Sequence, residues 1–110
     1  MFEVIPAIDI LDSKVVRLTK GDYDQVQEFP EQPEEFAKQF EAHGASKIHI
    51  VDLDGAKAGK IVNRHVLESL RKTVSCKIEF GGGVRNKETV QELVDIGIDY
   101  IVLEIGRAHV

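Results

Sequence analysis

The stretch Cys76-Lys77-Ile78-Glu79-Phe80-Gly81-Gly82-Gly83-Val84-Arg85 decides the fold, because a short apolar strand candidate runs directly into three glycines and a basic residue. Glycine lacks a Cβ, so the backbone N–H groups of Gly82 and Gly83 can approach an anion closely. Asn86 follows as a predicted helix N-cap, and the N-terminus of a helix attracts negative charge. Strand, glycine run and helix together predict a phosphate site, with Arg85 as its cation. The simpler alternatives are that the glycines form a tight turn and that Arg85 makes a surface salt bridge.

Short apolar runs alternate along the chain with longer amphipathic segments. The runs predicted as strands are residues 4–8, 47–53, 76–80 and 100–103. The first segment predicted as a helix is residues 33–43. The second begins after its N-cap, Asn63, and its apolar face consists of Val66, Leu67 and Leu70. The third begins after its N-cap, Asn86, has Val90, Leu93 and Val94 on its apolar face, and stops at Gly97. This spacing is typical of parallel strands joined by right-handed helical crossovers. The fold class is therefore predicted as α/β, with the order βαβαβαβ.

A long segment, residues 10–32, separates the first predicted strand from the first helix. Residues 14–18 are predicted as a short extra strand, and residues 21–24 as a turn. Long loops that follow strands commonly carry function. Arg17 and Lys20 lie in this segment, where a cation would clamp a phosphate; the simpler alternative is a solvated hairpin face.

Composition and charge narrow the class of protein. Hydrophobic residues make up 43% and charged residues 30% of the 110 residues, which is typical of a folded globular protein. The formal net charge of -5 argues against nucleic acid or an anionic membrane as a partner. Cys76 is the only cysteine, so no internal disulfide is expected, and a cytoplasmic location is predicted. The length is less than half of the about 250 residues that a closed eight-stranded barrel needs.

Acidic residues follow two of the predicted strands. Asp9 ends the first and Asp52 lies near the end of the second, and the carboxyl ends of parallel strands meet at one rim, where such folds place their chemistry. A carboxylate at this rim beside a phosphate site predicts acid/base chemistry on a phosphorylated small molecule. The alternatives are a turn cap for Asp9 and a helix N-cap for Asp52. His49 lies within the second strand, where a packing role is the simpler interpretation.

Several motifs occur together and in one order: residues 4–9, 14–18, 48–56 and 80–85. Over residues 1–103 the chain resembles the phosphoribosyl isomerase of histidine biosynthesis, the ProFAR isomerase family, and it resembles the amino-terminal half only. The resemblance implies a (β/α)8 TIM barrel that converts the bis-phosphorylated aminoaldose ProFAR to its aminoketose by an Amadori rearrangement. It also implies that the reaction needs no metal and no organic cofactor.

The resemblance further implies roles for individual residues. Two aspartates serve as acid and base in the family; the first matches Asp9, and the second lies beyond this chain. Asp9 is the predicted base, which removes the proton at C2 of the opened sugar. The residues predicted to bind the substrate are Gly82, Gly83, Arg85, Arg17, His49 and Asp52.

Two neighbouring families stay open as alternatives. The related cyclase of the same pathway shares the half-barrel plan but typically has a cysteine and a lysine-rich loop around its first aspartate, whereas Ala7 and Arg17 stand here. A dual isomerase that also serves tryptophan synthesis typically has an alanine pair where Gly55-Ala56 stands here. Both differences favour the isomerase that serves histidine synthesis alone.

The last residues, 104–110, depart from the family pattern. After the fourth strand the family places glycine and then serine or threonine, whereas Glu104 stands here and would repel a phosphate. The segment Glu-Ile-Gly-Arg-Ala-His-Val also matches a translated sequencing adapter, so it is predicted to be a non-native tail; the alternative is a genuine divergent tail. Residues 1–103 are predicted to be a half barrel of four strands and three helices. Such a half barrel is expected to be inactive alone, to bind at most phosphate, and to self-associate through open strand edges.

Overall fold

The computed structural model describes residues 5–103, which form a six-stranded sheet and four helices. The strands are β1 (Ala7–Leu11), β2 (Lys14–Thr19), β3 (Asp22–Glu28), β4 (Lys47–Asp52), β5 (Lys77–Gly81) and β6 (Tyr100–Ile101). The helices are α1 (Pro33–Ala42), α2 (Leu53–Ala58), α3 (Arg64–Thr73) and α4 (Lys87–Ile96). Val4 of the first predicted strand and the predicted tail 104–110 lie outside the described residues. Within residues 5–103, no helix is long and apolar enough to cross a membrane.

Four strands form the parallel part of the sheet, and two form an antiparallel extension. The strand order is β3-β2-β1-β4-β5-β6, and β1, β4, β5 and β6 pair with one another in parallel. Strand β2 runs antiparallel to β1, and β3 runs antiparallel to β2. The predicted alternation of parallel strands with helices is confirmed, and so is the extra strand predicted at residues 14–18.

The pleat of the parallel strands divides their side chains between two faces. The side chains that pack against α1, α3 and α4 form the core and are buried: Ile8, Ile10, Ile48, Ile50, Ile78 and Phe80. Successive residues of a strand point to opposite faces, so Asp9, His49 and Glu79 share the other face. We refer to this second face as the open face of the sheet, because its side chains are only partly buried.

The first strand differs from the prediction. It begins at Ala7 and continues to Leu11, so Asp9 lies in the middle of a strand and not at its end. Ile10 and Leu11 remain extended because β2 turns back tightly and pairs with both of them. The carboxylate is therefore held by strands on both sides.

A short helix, α2, is absent from the sequence prediction, which continues the strand through Leu53. In the structure β4 ends at Asp52, whose side chain caps α2 by accepting a hydrogen bond from the Gly55 N–H. Helix α2 ends at Ala58, and Gly59 caps it in the left-handed conformation, with a φ of 76°. The predicted four strands and three helices are therefore corrected to six strands and four helices over residues 5–103. The elements beyond that count are β2, which is predicted separately as the extra strand at residues 14–18, and β3 and α2, which are not predicted. Strand β3 begins at Asp22, within the segment 21–24 that is predicted as a turn.

The turn between β1 and β2 consists of Asp12 and Ser13, whose φ angles are 51° and 65°. Positive φ at both central residues is the geometry of the tight hairpin turns whose twist suits the flanking strands. The turn holds β2 against β1, so the edge of the first strand, which the sequence analysis leaves open, is covered. Within the described residues the sheet ends at β3 on one side and at β6 on the other.

Candidate functional site

Asp9 is half-buried on the open face, where its neighbours across the sheet are Val16 of β2 and Val51 of β4. Burial raises the pKa of its carboxyl, and the nearby His49 offsets part of this effect. A carboxylate with a raised pKa accepts a proton more readily than a free aspartate does. Both its position and its pKa therefore suit the predicted role of a base.

His49 and Glu79 lie beside each other on the open face. They are direct partners across β4 and β5, and Nδ1 of His49 lies 2.8 Å from Oε1 of Glu79. This distance is that of an ion pair, although Nδ1 is not aligned as a hydrogen-bond donor. His49 thus stands close to Asp9 with an acidic partner on its other side.

The glycines after β5 adopt conformations that other residues rarely take. Gly82 and Gly83 have φ angles of 115° and 85°. A Cβ on either residue would lie less than 3.0 Å from backbone atoms of the segment that contains α2: Asp52 for Gly82, and Gly55 and Lys60 for Gly83. From the sequence, these glycines are explained by the approach of a phosphate or, more simply, by a tight turn. The structure adds a further cause, which is close packing against the neighbouring loop.

Arg85 and the N-terminus of α4 lie beside the glycine run. Asn86 caps α4, as predicted, by accepting a hydrogen bond from the Thr89 N–H at 2.9 Å. The guanidinium of Arg85 lies over Gly59, where an added Cβ would be 2.7 Å from Nη1. An open cavity of about 550 Å³ borders this region and is lined by Val84, Arg85, Asn86, Lys87, Val90, Gln91 and Leu103. Backbone amides, a helix N-terminus and two cationic side chains are the groups that bind phosphate in proteins.

Asp52 is 1% exposed, and protein donors occupy both of its oxygens. Oδ1 accepts hydrogen bonds from the Gly55 N–H (2.8 Å) and from Nδ2 of Asn63 (2.7 Å). Oδ2 accepts from the N–H groups of Val62 (2.8 Å) and Asn63 (2.9 Å). Asp52 is also in phase with the buried Ile50, so its side chain lies on the helix side of the sheet. This arrangement favours the N-cap role of Asp52 over the predicted contact with substrate.

Arg17 does not share the face of Asp9. Val16 is the partner of Asp9 across the sheet, and the next residue along a strand points to the opposite face. Arg17 is exposed on β2, and both it and Asp9 border a cavity of about 260 Å³ beside β1. The structure therefore brings Asp9 and His49 together on one face, whereas Arg17 reaches the border of this region from the other face.

Three residues near the site have roles that the sequence analysis misses. Glu79 is the partner of His49, a relation that follows only from the register of β4 and β5. Tyr23 of β3 donates its hydroxyl to the Leu53 carbonyl at 2.9 Å and so ties the hairpin to α2. Asn63 is predicted only as a helix cap, but its side chain makes no capping hydrogen bond to α3 and turns to Asp52 instead.

The described residues combine three chemical features. They are a carboxylate with a raised pKa, an imidazole beside a carboxylate, and an amide-rich loop next to a guanidinium. Among residues 5–103, no group of three or more histidine, cysteine, aspartate and glutamate side chains is arranged to hold a metal ion. The site can therefore hold an anionic group at one place and move a proton at another.

Comparison with known proteins gives a family match and a set of relatives. The family model described as "Histidine biosynthesis protein" matches residues 3–106. Three curated relatives carry the name 1-(5-phosphoribosyl)-5-((5-phosphoribosylamino)methylideneamino) imidazole-4-carboxamide isomerase.

The relative from Nostoc punctiforme is 52% identical over 101 residues, which cover 92% of this chain and 39% of that protein. The relative from Caldanaerobacter subterraneus is 52% identical over 100 residues, with 91% and 42% covered. The relative from a Thermoanaerobacter species is 48% identical over 100 residues, with 91% and 43% covered. The chain thus spans about two fifths of the length of the curated relatives it matches.

Among solved structures, a chain of the Amycolatopsis orientalis BexX/CysO complex aligns with a TM-score of 0.53 at 17% sequence identity. The alignment covers 63% of this chain and 29% of that one, and at this identity the likeness concerns the fold alone. The family match, the parallel sheet and the partial coverage of the relatives together confirm the predicted fold class, which is half of a (β/α)8 TIM barrel.

Proposed function

We propose, from the premise that this chain belongs to the histidine biosynthesis protein family, that it forms one half of an isomerase that acts on a phosphoribosyl imidazole carboxamide. The proposed substrate is ProFAR, and the reaction is the Amadori rearrangement of this aminoaldose to its aminoketose. The observation that carries the proposal is Asp9, a half-buried carboxylate with a raised pKa that faces the open side of a parallel sheet. The names of the relatives support it.

Proton transfer is the core of the proposed mechanism. An acid protonates the ring oxygen of the ribose, which opens the sugar to a Schiff base; a base then removes the proton at C2 to give an enolamine that becomes the ketose. Asp9 is the proposed base, and the nearby His49 is proposed to bind the substrate on the same face. The acid is the second aspartate of the family, which lies beyond this chain. In this scheme no metal and no organic cofactor take part.

One of the two substrate phosphates is proposed to bind at the glycine run. The N–H groups of Gly82 and Gly83, the N-terminus of α4 and the guanidinium of Arg85 supply the donors and the positive charge. Arg17 is proposed to approach the substrate from the hairpin. The other phosphate site belongs to the part of the protein beyond these residues, so the chain alone is proposed to be inactive.

We place the reaction in the cytoplasm and propose neither nucleic acid nor a membrane as a partner. The net charge of -5 gives the chain no general attraction to anionic surfaces. A doubly phosphorylated sugar also does not leave water for a lipid bilayer unaided, because the transfer of its charges is very costly.

The test uses the full-length protein that contains these residues. It should convert ProFAR, and Asp9→Asn should lower turnover by about 10²–10⁴-fold, because the amide keeps the shape of the side chain but cannot accept the proton. Asp95→Asn is the matched control, since Asp95 is exposed on α4 and accepts a hydrogen bond from Gln91 on the same helix. Wild-type turnover in Asp9→Asn would remove Asp9 from the mechanism. No conversion by the wild type would leave the alternative of a non-catalytic phosphate-binding half barrel.

A further inference from the structure

Asn63 lies at the centre of a polar cluster that joins two loops at the carboxyl end of the sheet. The residue is 3% exposed. Its Nδ2 donates to Oδ1 of Asp52 at 2.7 Å and to Oδ2 of Asp54 at 2.9 Å, so one amide holds two carboxylates that would otherwise repel each other. We refer to Asp52, Asp54 and Asn63 as the clasp.

One side of the clasp holds the turn between β1 and β2. The Asp12 N–H donates to Oδ2 of Asp54 at 2.6 Å, and the Ser13 N–H donates to Oδ1 of Asn63 at 3.0 Å. Both turn residues have positive φ, a conformation that surrounding contacts must hold in place. Because β1 leads from Asp9 directly into this turn, the clasp fixes the end of the strand that carries the proposed base.

The other side of the clasp supports the glycine run. The carboxylate of Asp52 closes the segment 52–63 on itself through the N–H groups of Gly55, Val62 and Asn63. Gly82 and Gly83 pack against the backbone of this segment, so closely that a Cβ on either glycine would lie less than 3.0 Å from its backbone atoms. A shift of the segment would therefore shift the proposed phosphate loop as well.

We propose that Asn63 is a positioning residue, which through the clasp sets the separation between the carboxylate of Asp9 and the glycine run. This inference rests on the function proposed above. A sugar phosphate anchored at the glycine run presents its reacting carbon to Asp9 at a fixed distance, and a misplacement of about 1 Å costs on the order of 10²-fold in rate. Asn63 itself is buried among protein groups, so it acts through the turn and the loop.

The position requires an asparagine because the side chain must donate and accept at the same time. Asn63→Asp keeps the size of the residue but replaces the two donated hydrogen bonds by a third carboxylate next to Asp52 and Asp54. Repulsion should then open the clasp. Adding Asp54→Asn removes one of the three adjacent charges and supplies an amide in its place. Because the Asp12 N–H and Nδ2 of Asn63 both bind Oδ2 of Asp54, this amide can restore one of the two contacts but not both. The double variant should therefore recover part of what the single variant loses.

The first experiment measures turnover of the full-length protein. Asn63→Asp should lower kcat per folded molecule by about tenfold or more, with a smaller change in KM, and the double variant should recover part of kcat. Glu41→Ala is the control, because Oε2 of Glu41 holds the Ser75 and Cys76 N–H groups, each at 2.7 Å, near the start of β5 and far from the clasp. The control should lower the melting temperature and leave kcat per folded molecule unchanged.

The second experiment measures amide hydrogen exchange in the 110-residue chain and needs no activity. Asn63→Asp should raise the exchange rates of the Asp12 and Ser13 N–H groups about tenfold or more relative to Glu41→Ala, since their acceptors move away. Unchanged exchange at the turn would overturn the inference. If the wild-type protein converts ProFAR, an unchanged kcat in Asn63→Asp would also overturn the inference. A wild type without turnover would overturn the proposed function and the positioning role together, and the exchange rates would then report on the structural link alone.

Discussion

Burial disfavours the charged form of Asp9, and this affects stability as well as chemistry. The pKa of the carboxyl is higher in the folded chain than in the unfolded one, so the folded state binds the proton more tightly. The stabilisation that this proton provides is fully present at acidic pH, below the unfolded pKa, and is lost as the pH rises through the folded pKa. At neutral pH the charged group that the proposed reaction needs therefore lowers the free energy of unfolding.

Asp9→Asn should consequently raise the melting temperature of the 110-residue chain at neutral pH, because an uncharged amide replaces a charge in a partly desolvated site. The difference should shrink as the pH falls, since Asp9 is then protonated in the wild type too. Circular dichroism melts over a pH series measure this. Asp95→Asn at an exposed position should show no such trend. A lower melting temperature for Asp9→Asn at neutral pH would contradict the burial argument.

Gly82 and Gly21 separate the effect of backbone conformation from that of packing. Both have positive φ, 115° and 75°. A Cβ at Gly82 would collide with the backbone of Asp52, whereas no atom of the described residues lies within 4 Å of a Cβ at Gly21. Gly21→Ala should cost about 1 kcal/mol from backbone strain, and Gly82→Ala should cost about 3 kcal/mol or more because the collision adds to that strain. Urea unfolding of the 110-residue chain measures both. Equal losses would show that the glycine run does not pack as described.

At the scale of elements, local signals in the sequence predict the parallel strands and three of the helices. Asn86 and Gly97 bound α4 as expected, because capping is decided by neighbouring residues. Helix α2 escapes prediction because its six residues are too few to show an apolar period and include a glycine. The faces of Asp52 and Arg17 depend on strand register, and a shift of one residue moves a side chain to the opposite face. A single sequence contains no direct signal for register.

The residues that cap α2 and α4, Asp52 and Asn86, accept different numbers of hydrogen bonds, so their replacement should lower the free energy of unfolding by different amounts. Asp52→Ala removes the acceptor of three backbone N–H groups and of Nδ2 of Asn63, and most of these are buried. It should lower the free energy of unfolding by about 3 kcal/mol or more. Asn86→Ala removes one acceptor, that of the Thr89 N–H, and should cost about 1 kcal/mol. Urea titrations of both variants test this, and similar losses would contradict a special role for Asp52.

At the scale of the whole molecule, apolar side chains gather where the described sheet ends. Val94 is 55% exposed, Tyr100 43%, Val102 46% and Leu103 58%, and all lie on or beside β6 and α4. The relatives are more than twice as long as the segment they share with this chain. We infer that further strands and helices of the full-length protein cover this surface. Within residues 5–103 this surface is exposed, and the outer edge of β6 has no neighbouring strand.

The 110-residue chain alone should therefore self-associate and show no isomerase turnover. Replacing both Val102 and Leu103 by lysine should shift it towards monomer in sedimentation velocity, because charge on an edge opposes strand pairing. Val62→Lys is the matched control, since Val62 is 43% exposed in the loop before α3 and away from β6. A compact monomer of the wild-type chain that converts ProFAR would contradict the half-barrel interpretation. Equal effects of the double variant and of Val62→Lys on the association state would contradict the role given to β6.

The tight turn at Asp12 and Ser13 also orders the assembly of the sheet in time. A hairpin with such a turn closes within about 1–10 μs, since its strands are adjacent in the chain. The hydrogen bond between Asp12 and Asp54 joins residues 42 positions apart and has to wait for β4. During synthesis the amino-terminal residues also leave the ribosome first. When β4 forms, one edge of β1 should therefore already be paired with β2. Strand β4 can then pair only with the other edge of β1, as it does in the folded sheet.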